Sequence, residues 1–191
     1  MNRREALTRV ALIMGGTVIS GSLFLEGCKP ADKKYGTEEK FTPDDVAYLD
    51  EVAETIIPTT NTPGAKAAKV GAFMTVMVND CYDEKDQKVF KEGMGKLNAA
   101  SKKKFDNGFL EITPAQRTEL LSELDKEQAA FATSKKKDES QHYFFMMKEL
   151  TLIGYFTSEV GATQALRYLP VPGRYDGNMA YKKGDRAWAT N

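Results

Sequence analysis

Apolar residues recur at steps of three and four through most of residues 41–156, and no stretch alternates apolar and polar side chains for long enough to make a strand. That rhythm restricts the fold to packed helices. The first run shows how the chain marks its boundaries. In "FTPDDVAYLDEVAETIIPTT", Thr42 is placed to cap a helix and Pro43 suits its first position, while Asp44 and Asp45 lie where the positive end of the helix dipole favours acids. Val46, Leu49, Val52, Ala53, Ile56 and Ile57 trace one face, and Pro58 ends the run.

The connector "TTNTPGAKAA" is rich in turn formers, and a second helix is predicted over 65–81 on Val70, Phe73, Met74, Met77 and Val78. A third is predicted over 83–105, using Val89, Phe90, Met94 and Leu97, with Gly93 and Gly95 expected to weaken its middle. "ITPAQRTELLSEL" repeats the start signal: Thr113 caps, Pro114 opens, and Gln116 completes a capping box ahead of Leu120, Leu121, Leu124 and Phe131. From Gln141, "QHYFFMMKELTLIGYF" carries more apolar side chains than one stripe needs, which predicts a helix buried on more than one side. The expected fold is all-α, a compact bundle of five or six helices with an irregular C-terminal tail from Leu169, rich in aromatics and proline.

The residues before 41 read as an address and a tether. Paired Arg3 and Arg4 precede a sixteen-residue apolar run over 10–25, diluted by Gly15, Gly16 and Gly21. The run is short for a spanning helix, so residues 1–27 are expected to be a cleavable export signal. "NRREAL" resembles the twin-arginine motif of the Tat pathway, and "LEGC" resembles a lipobox in which Cys28 is lipidated. Residues 28–40 are polar and without periodicity, as expected of a tether to a domain spanning 41–191. Cys81 then has no partner thiol, and at the end of an apolar helical pattern it is expected to be buried and inert.

The chain holds 27 basic and 27 acidic residues, and setting aside Arg3, Arg4, Arg9, Glu5 and Glu26 of the signal leaves 24 and 25. The basic excess of a nucleic-acid binder is missing. His142 is the single histidine, expected on the surface at the polar start of a helix, and a histidine-based metal set or catalytic pair would rest on it alone. Neither CxxCH, paired CxxC nor a glycine-rich phosphate loop occurs. Asp83, Glu84 and Asp86 read as a helix start, without the glycine and final glutamate of a calcium loop. Glu159, beside the apolar helix, remains as a candidate acid–base group. No catalytic, cofactor-binding or metal-binding set is predicted, and a non-catalytic role is expected.

Three strings, "AETIIPTTNTPGAKAAKVGAFM", "LTLIGYFTSEVGATQALRYLPVPGRYDG" and "KKGDRAWA", together resemble the gluconate 2-dehydrogenase subunit 3 family over about residues 45–189. The resemblance implies a small subunit without a cofactor of its own, accompanying a large FAD-containing catalytic subunit of the glucose–methanol–choline type. Such partners oxidise sugars, sugar alcohols or sugar acids, and a cytochrome subunit often takes the electrons onward. The resemblance also implies a secretion escort, which bears the Tat signal its partner lacks and carries the folded flavoprotein out; together with the lipobox-like string at Cys28, this gives an expected place in the periplasm, anchored to the membrane.

An interface needs aromatic and arginine anchors in a polar surround. The expected contact residues are Tyr155, Phe156, Ser158, Glu159, Arg167, Tyr168, Pro170, Pro172, Gly173, Arg174, Tyr175 and Trp188. Within that stretch the apolar start, through Phe156, is also expected to close the core, and the proline-stiffened loop after it to meet the partner. Two other classes compete: a stand-alone envelope enzyme using Glu159 or His142, and a lipoprotein that binds a ligand or scaffolds other proteins.

Overall fold

The computed structural model of the protein describes residues 33–38, 40–171 and 173–189. The expected signal with Arg3 and Arg4, the lipidation site Cys28 and the interface residue Pro172 lie outside the described residues. Within them the fold is all-α, as predicted. Five α-helices run in order, α1 (Pro43–Ile56), α2 (Val70–Cys81), α3 (Glu84–Phe105), α4 (Pro114–Ser134) and α5 (Tyr143–Phe156), before a π-helical turn (Gly161–Ala165) and an irregular tail. Helix α5 packs on each of the other four, which is why the most apolar segment of the domain sits there.

Helices α1 and α4 begin where their caps predict. The Thr113 hydroxyl accepts from Gln116 N (3.4 Å), and Gln116 Oε1 accepts from Thr113 N (2.9 Å). Thr42 and Asp45 form the same reciprocal pair, with Asp45 Oδ2 accepting from Thr42 N (2.9 Å) and Thr42 Oγ1 accepting from Asp45 N (3.2 Å). Asp45 does more than complement a dipole, because it is buried and its other oxygen accepts from Gly36 N (2.8 Å). That bond draws the preceding residues inward, and Tyr35 stacks on Tyr48 at 4.1 Å between ring centroids. The folded unit therefore begins at Lys34, ahead of the expected boundary at 41. A lone tyrosine in a polar stretch carries no local sign of the ring that receives it.

Helix α2 begins at Val70, five residues later than predicted. Residues 65–69 are turns, and Lys69 adopts a left-handed conformation at φ 55°. The helix start has no side-chain cap from its own N-cap residue; instead Asp50, reaching from α1, accepts from Gly71 N at 2.7 Å. Burial raises the Asp50 pKa, and the bond from Gly71 offsets part of that rise. A Cβ on Gly71 would lie 2.5 Å from the Val46 carbonyl oxygen, so α1 and α2 meet at that glycine. Cys81, the last residue of α2, is exposed and not buried, because the helix ends with that thiol turned away from the core.

The two glycines of α3 differ. A Cβ on Gly93 would fall 2.3 Å from Tyr143 Cβ, so the glycine is the point at which α5 approaches. A Cβ on Gly95 would meet nothing nearer than Tyr35 O at 3.9 Å. Between α3 and α4 the buried ring of Phe109 is held on both sides. Its N–H donates to Asn98 Oδ1 (2.9 Å), and its carbonyl accepts from Arg117 Nε (3.0 Å). Arg117 also donates to Leu110 O (2.7 Å) and Glu51 Oε2 (2.6 Å), tying α1, α4 and the connecting loop together. Burial would raise the Glu51 carboxyl, but bonds and charge from Lys66 and Arg117 outweigh it and hold the group below its usual range.

Candidate partner-binding surface

Two of the strings singled out in the sequence meet at the end of α5. Tyr155 is buried, and its hydroxyl donates to Pro63 O at 2.6 Å. The loop carrying Pro63 is organised by Glu54, whose carboxylate accepts from Thr59 N (2.8 Å), Thr59 Oγ1 (2.7 Å) and Lys66 N (2.9 Å). A Cβ on Gly64 would collide with that carboxylate at 2.3 Å, which accounts for the glycine after Pro63. Tyr155 is thus spent inside the domain and is not available to a partner, contrary to the expectation for it.

Helix α5 turns one side inward through Met147, Leu150, Thr151, Gly154 and Tyr155. Gly154 admits the Phe73 ring of α2, whose Cδ1 would lie 2.6 Å from a Cβ there. The opposite side stays in solvent although it is apolar: Leu152, Ile153 and Phe156 are 41%, 42% and 39% exposed. The helix is buried against four others, as expected, but the expectation that Phe156 closes the core is corrected, because that residue lies on the uncovered side. Spacing on a helix reports which residues share a face, but a second apolar face looks the same whether the domain or a partner covers it. Val76, on the neighbouring α2, is exposed as well.

Beyond α5 the Ser158 hydroxyl donates to Tyr155 O (2.6 Å) and accepts from Gly161 N (3.0 Å). A Cβ on Gly161 would stand 1.9 Å from Tyr155 O, so a glycine is required where the chain folds back into the π-helical turn. Arg167 then pairs with the end of the tail. Its N–H donates to Ala187 O (2.8 Å), its carbonyl accepts from Ala189 N (2.8 Å), and its guanidinium lies 4.8 Å from the centre of the Trp188 ring. Arg167 Nε also donates to Arg186 O (2.8 Å), and Arg186 donates back to Gln164 O. Residues 168–187 consequently leave and return at one point, as a closed loop.

On that loop Tyr168, Pro170, Gly173, Arg174 and Tyr175 are all exposed, Tyr175 at 96%. Arg167 and Trp188 are brought together at its base, each half-buried, while Phe156 and Glu159 are exposed beside the end of α5. Sequence reasoning missed Leu152, Ile153, Val171, Met179 and Tyr181, all exposed and apolar. The surplus of apolar residues on α5 was the available signal for the first two.

His142, the single histidine, does not sit on the surface as expected. It is the N-cap of α5, its Nδ1 accepting from Phe144 N at 3.3 Å, and its side chain is 11% exposed between Phe131 and Tyr143. Burial lowers its pKa, with Glu127 at 3.7 Å pulling the other way. The native state therefore binds the proton more weakly than the unfolded chain, whose imidazole titrates near about 6.5. Stability should be full above that pH and fall as the pH drops through it towards the lower native pKa. Urea midpoints measured across this range should show that fall, and His142→Asn, which can still accept the cap bond, should flatten it; an unchanged slope in the variant would assign the effect elsewhere.

Glu159 is exposed, and among the described residues no second acid–base group bonds or pairs with its carboxylate. Among the described residues no group of three or more His, Cys, Asp or Glu is arranged to hold a metal ion, and no helix is long and apolar enough to cross a membrane.

A protein-family model described as gluconate 2-dehydrogenase subunit 3 matches residues 43–173. Neither the curated proteins nor the solved structures compared with the chain gave a match. The matched span starts at the first residue of α1, includes the Tyr155–Pro63 junction and the uncovered side of α5, and ends on the exposed loop. Since it takes in well over half of the chain, the protein belongs to the gluconate 2-dehydrogenase subunit 3 family.

Proposed function

We propose that the protein is the non-catalytic small subunit of an FAD-dependent dehydrogenase of the glucose–methanol–choline type, acting on a sugar, a polyol or a sugar acid. In this reading FAD resides in the catalytic partner, and the small subunit escorts that partner, already folded, through the Tat pathway. The observation that carries the reading is the uncovered apolar side of α5, Leu152, Ile153 and Phe156, on a chain that also bears an exposed aromatic loop and whose family is named for a dehydrogenase subunit. Apolar surface gathered in one region of a soluble domain marks a place that another protein covers.

The need for an escort follows from the cofactor. A noncovalent flavin is inserted where it is made, so the loaded enzyme must cross the membrane folded, and a twin-arginine address on Arg3 and Arg4 suits such cargo. Lipidation at Cys28 would then hold the pair at the periplasmic face of a membrane, where a cytochrome subunit can accept electrons.

Tagged full-length protein expressed in its own cells should co-purify with a flavoprotein that shows flavin absorbance and sugar-dependent dye reduction. Arg3→Lys with Arg4→Lys should leave that flavoprotein, folded, in the cytoplasm. Cys28→Ala should release the complex in soluble form into the periplasm. Recovery of the tagged protein without any flavoprotein, together with normal export of the dehydrogenase in the double-lysine variant, would falsify the reading.

A further inference from the structure

The loop over 168–187 has a fixed base and an apolar, basic outline. Two backbone hydrogen bonds of 2.8 Å and the Arg167–Trp188 stacking close it. Six of its large apolar side chains are exposed, with Val171, Tyr175 and Tyr181 at 78%, 96% and 74%. A single exposed tyrosine needs no explanation, but six such residues on one clasped segment concentrate exposed apolar surface there. Its charge also departs from that of the rest. The loop holds Arg174, Lys182, Lys183 and Arg186 against Asp176 and Asp185; setting these aside, the 24 basic and 25 acidic residues from 28 onward become 20 and 23. A positively charged loop thus stands on a slightly negative body.

Resting on the escort reading above, we infer that this loop is a docking arm whose occupant is a groove of the catalytic dehydrogenase subunit, with an apolar floor and an acidic rim. Closing the base fixes both ends of the arm before binding, so less conformational freedom is lost when it enters the groove. Tyrosine is the side chain of choice for the tips, being large, rigid and able to hydrogen-bond at one end. At the foot of the arm a cleft of about 320 Å³ between Met179, Tyr181, Arg186 and Trp188 is open to a side chain of the partner.

A membrane surface fits the arm less well. Arg174 lies 3.6 Å from Asp176, and Arg186 donates to Gln164 O, which leaves chiefly Lys182 and Lys183 to face outward. Segments held by anionic lipid use clusters of about 4–8 basic residues. Two lysines are enough, however, to choose between an acidic and a basic rim on a protein groove.

The test uses the full-length chain and the flavoprotein that it brings down, with affinity measured at two salt concentrations. Tyr175→Ser with Tyr181→Ser should weaken the complex by at least about 30-fold. Lys182→Glu with Lys183→Glu should weaken it by about tenfold and reverse or flatten its salt dependence. Both pairs are exposed, so melting temperatures should match the parent and exclude misfolding as the cause. If the parent complex forms and both variants bind within about twofold of it, the arm proposal is overturned while the escort reading stands. If the same residues instead govern binding to phosphatidylglycerol vesicles with the flavoprotein affinity unchanged, the arm is a lipid contact and the proposal is again overturned. A parent chain that binds no flavoprotein overturns the escort reading, and the arm falls with it.

Discussion

Arg117→Met should lower the free energy of unfolding by about 3 kcal/mol, the largest loss expected from any single change considered for this domain. Methionine keeps much of the volume of the side chain but donates nothing. Lys66 remains beside Glu51, so the carboxylate keeps one cation; the Phe109 and Leu110 carbonyls, which accept at 3.0 and 2.7 Å, lose Arg117 as their donor. The Phe109 ring also loses the guanidinium that lies 5.5 Å from its centre. Thermal or urea unfolding should register the loss as a drop of roughly 10 °C in Tm or the equivalent shift in midpoint. Arg117→Lys should fall between the two, since one ammonium cannot reproduce a planar fork that serves three acceptors at once. A lysine variant as stable as the parent would show that charge alone, and not the fork, matters at this position.

Gly93→Ala should cost about 2 kcal/mol, and Gly95→Ala should stabilise by about 0.5–1 kcal/mol, although the two glycines stand two residues apart in the same helix. Alanine improves helix propensity equally at both. At Gly93 the added methyl would meet Tyr143 Cβ at 2.3 Å, an atom next to the backbone of α5 that cannot rotate away, so the helices must separate. At Gly95 the methyl finds ordinary contact at 3.9 Å and the propensity gain is kept. Opposite signs in the two unfolding curves are the expected result, and equal effects would remove the close approach at Gly93 as an explanation.

Devices whose parts lie close together in the chain are legible in the sequence. Helix starts at Thr42 and Thr113 were legible because the cap and the residue it bonds lie three positions apart, so the whole device is local. The start of α2 was misplaced because its acceptor, Asp50, comes from another helix 21 residues earlier. Gly93 and Gly95 could not be told apart, nor could Tyr35 be assigned to the core, because Tyr143 and Tyr48 reach them only through packing. The polar neighbours of His142 in sequence point to the surface, yet the packing of α4 and α5 encloses it between Phe131 and Tyr143.

The candidate surface divides in the same way. Its position, from the end of α5 into the C-terminal tail, was visible in the aromatic, glycine and proline content of residues 154–177. Its membership was not. Tyr155 turned inward to Pro63, while Leu152, Ile153, Val171, Met179 and Tyr181 turned outward, and only the direction of each side chain decides which is contact and which is core.

By itself the sequence determined the all-α class, the order of the helices, the caps of α1 and α4 and the family strings, all of which rest on spacings within a few residues or on residue identity. The tertiary structure alone decided that the unit begins at Lys34, that Arg117 joins α1 to the loop before α4, that Arg167 and Trp188 close the tail into a loop, and that α5 keeps an apolar side in solvent. Periodicity records that a side chain is apolar and which neighbours share its face. Whether that face is covered depends on which distant segment reaches it, and that is settled only when the helices have packed.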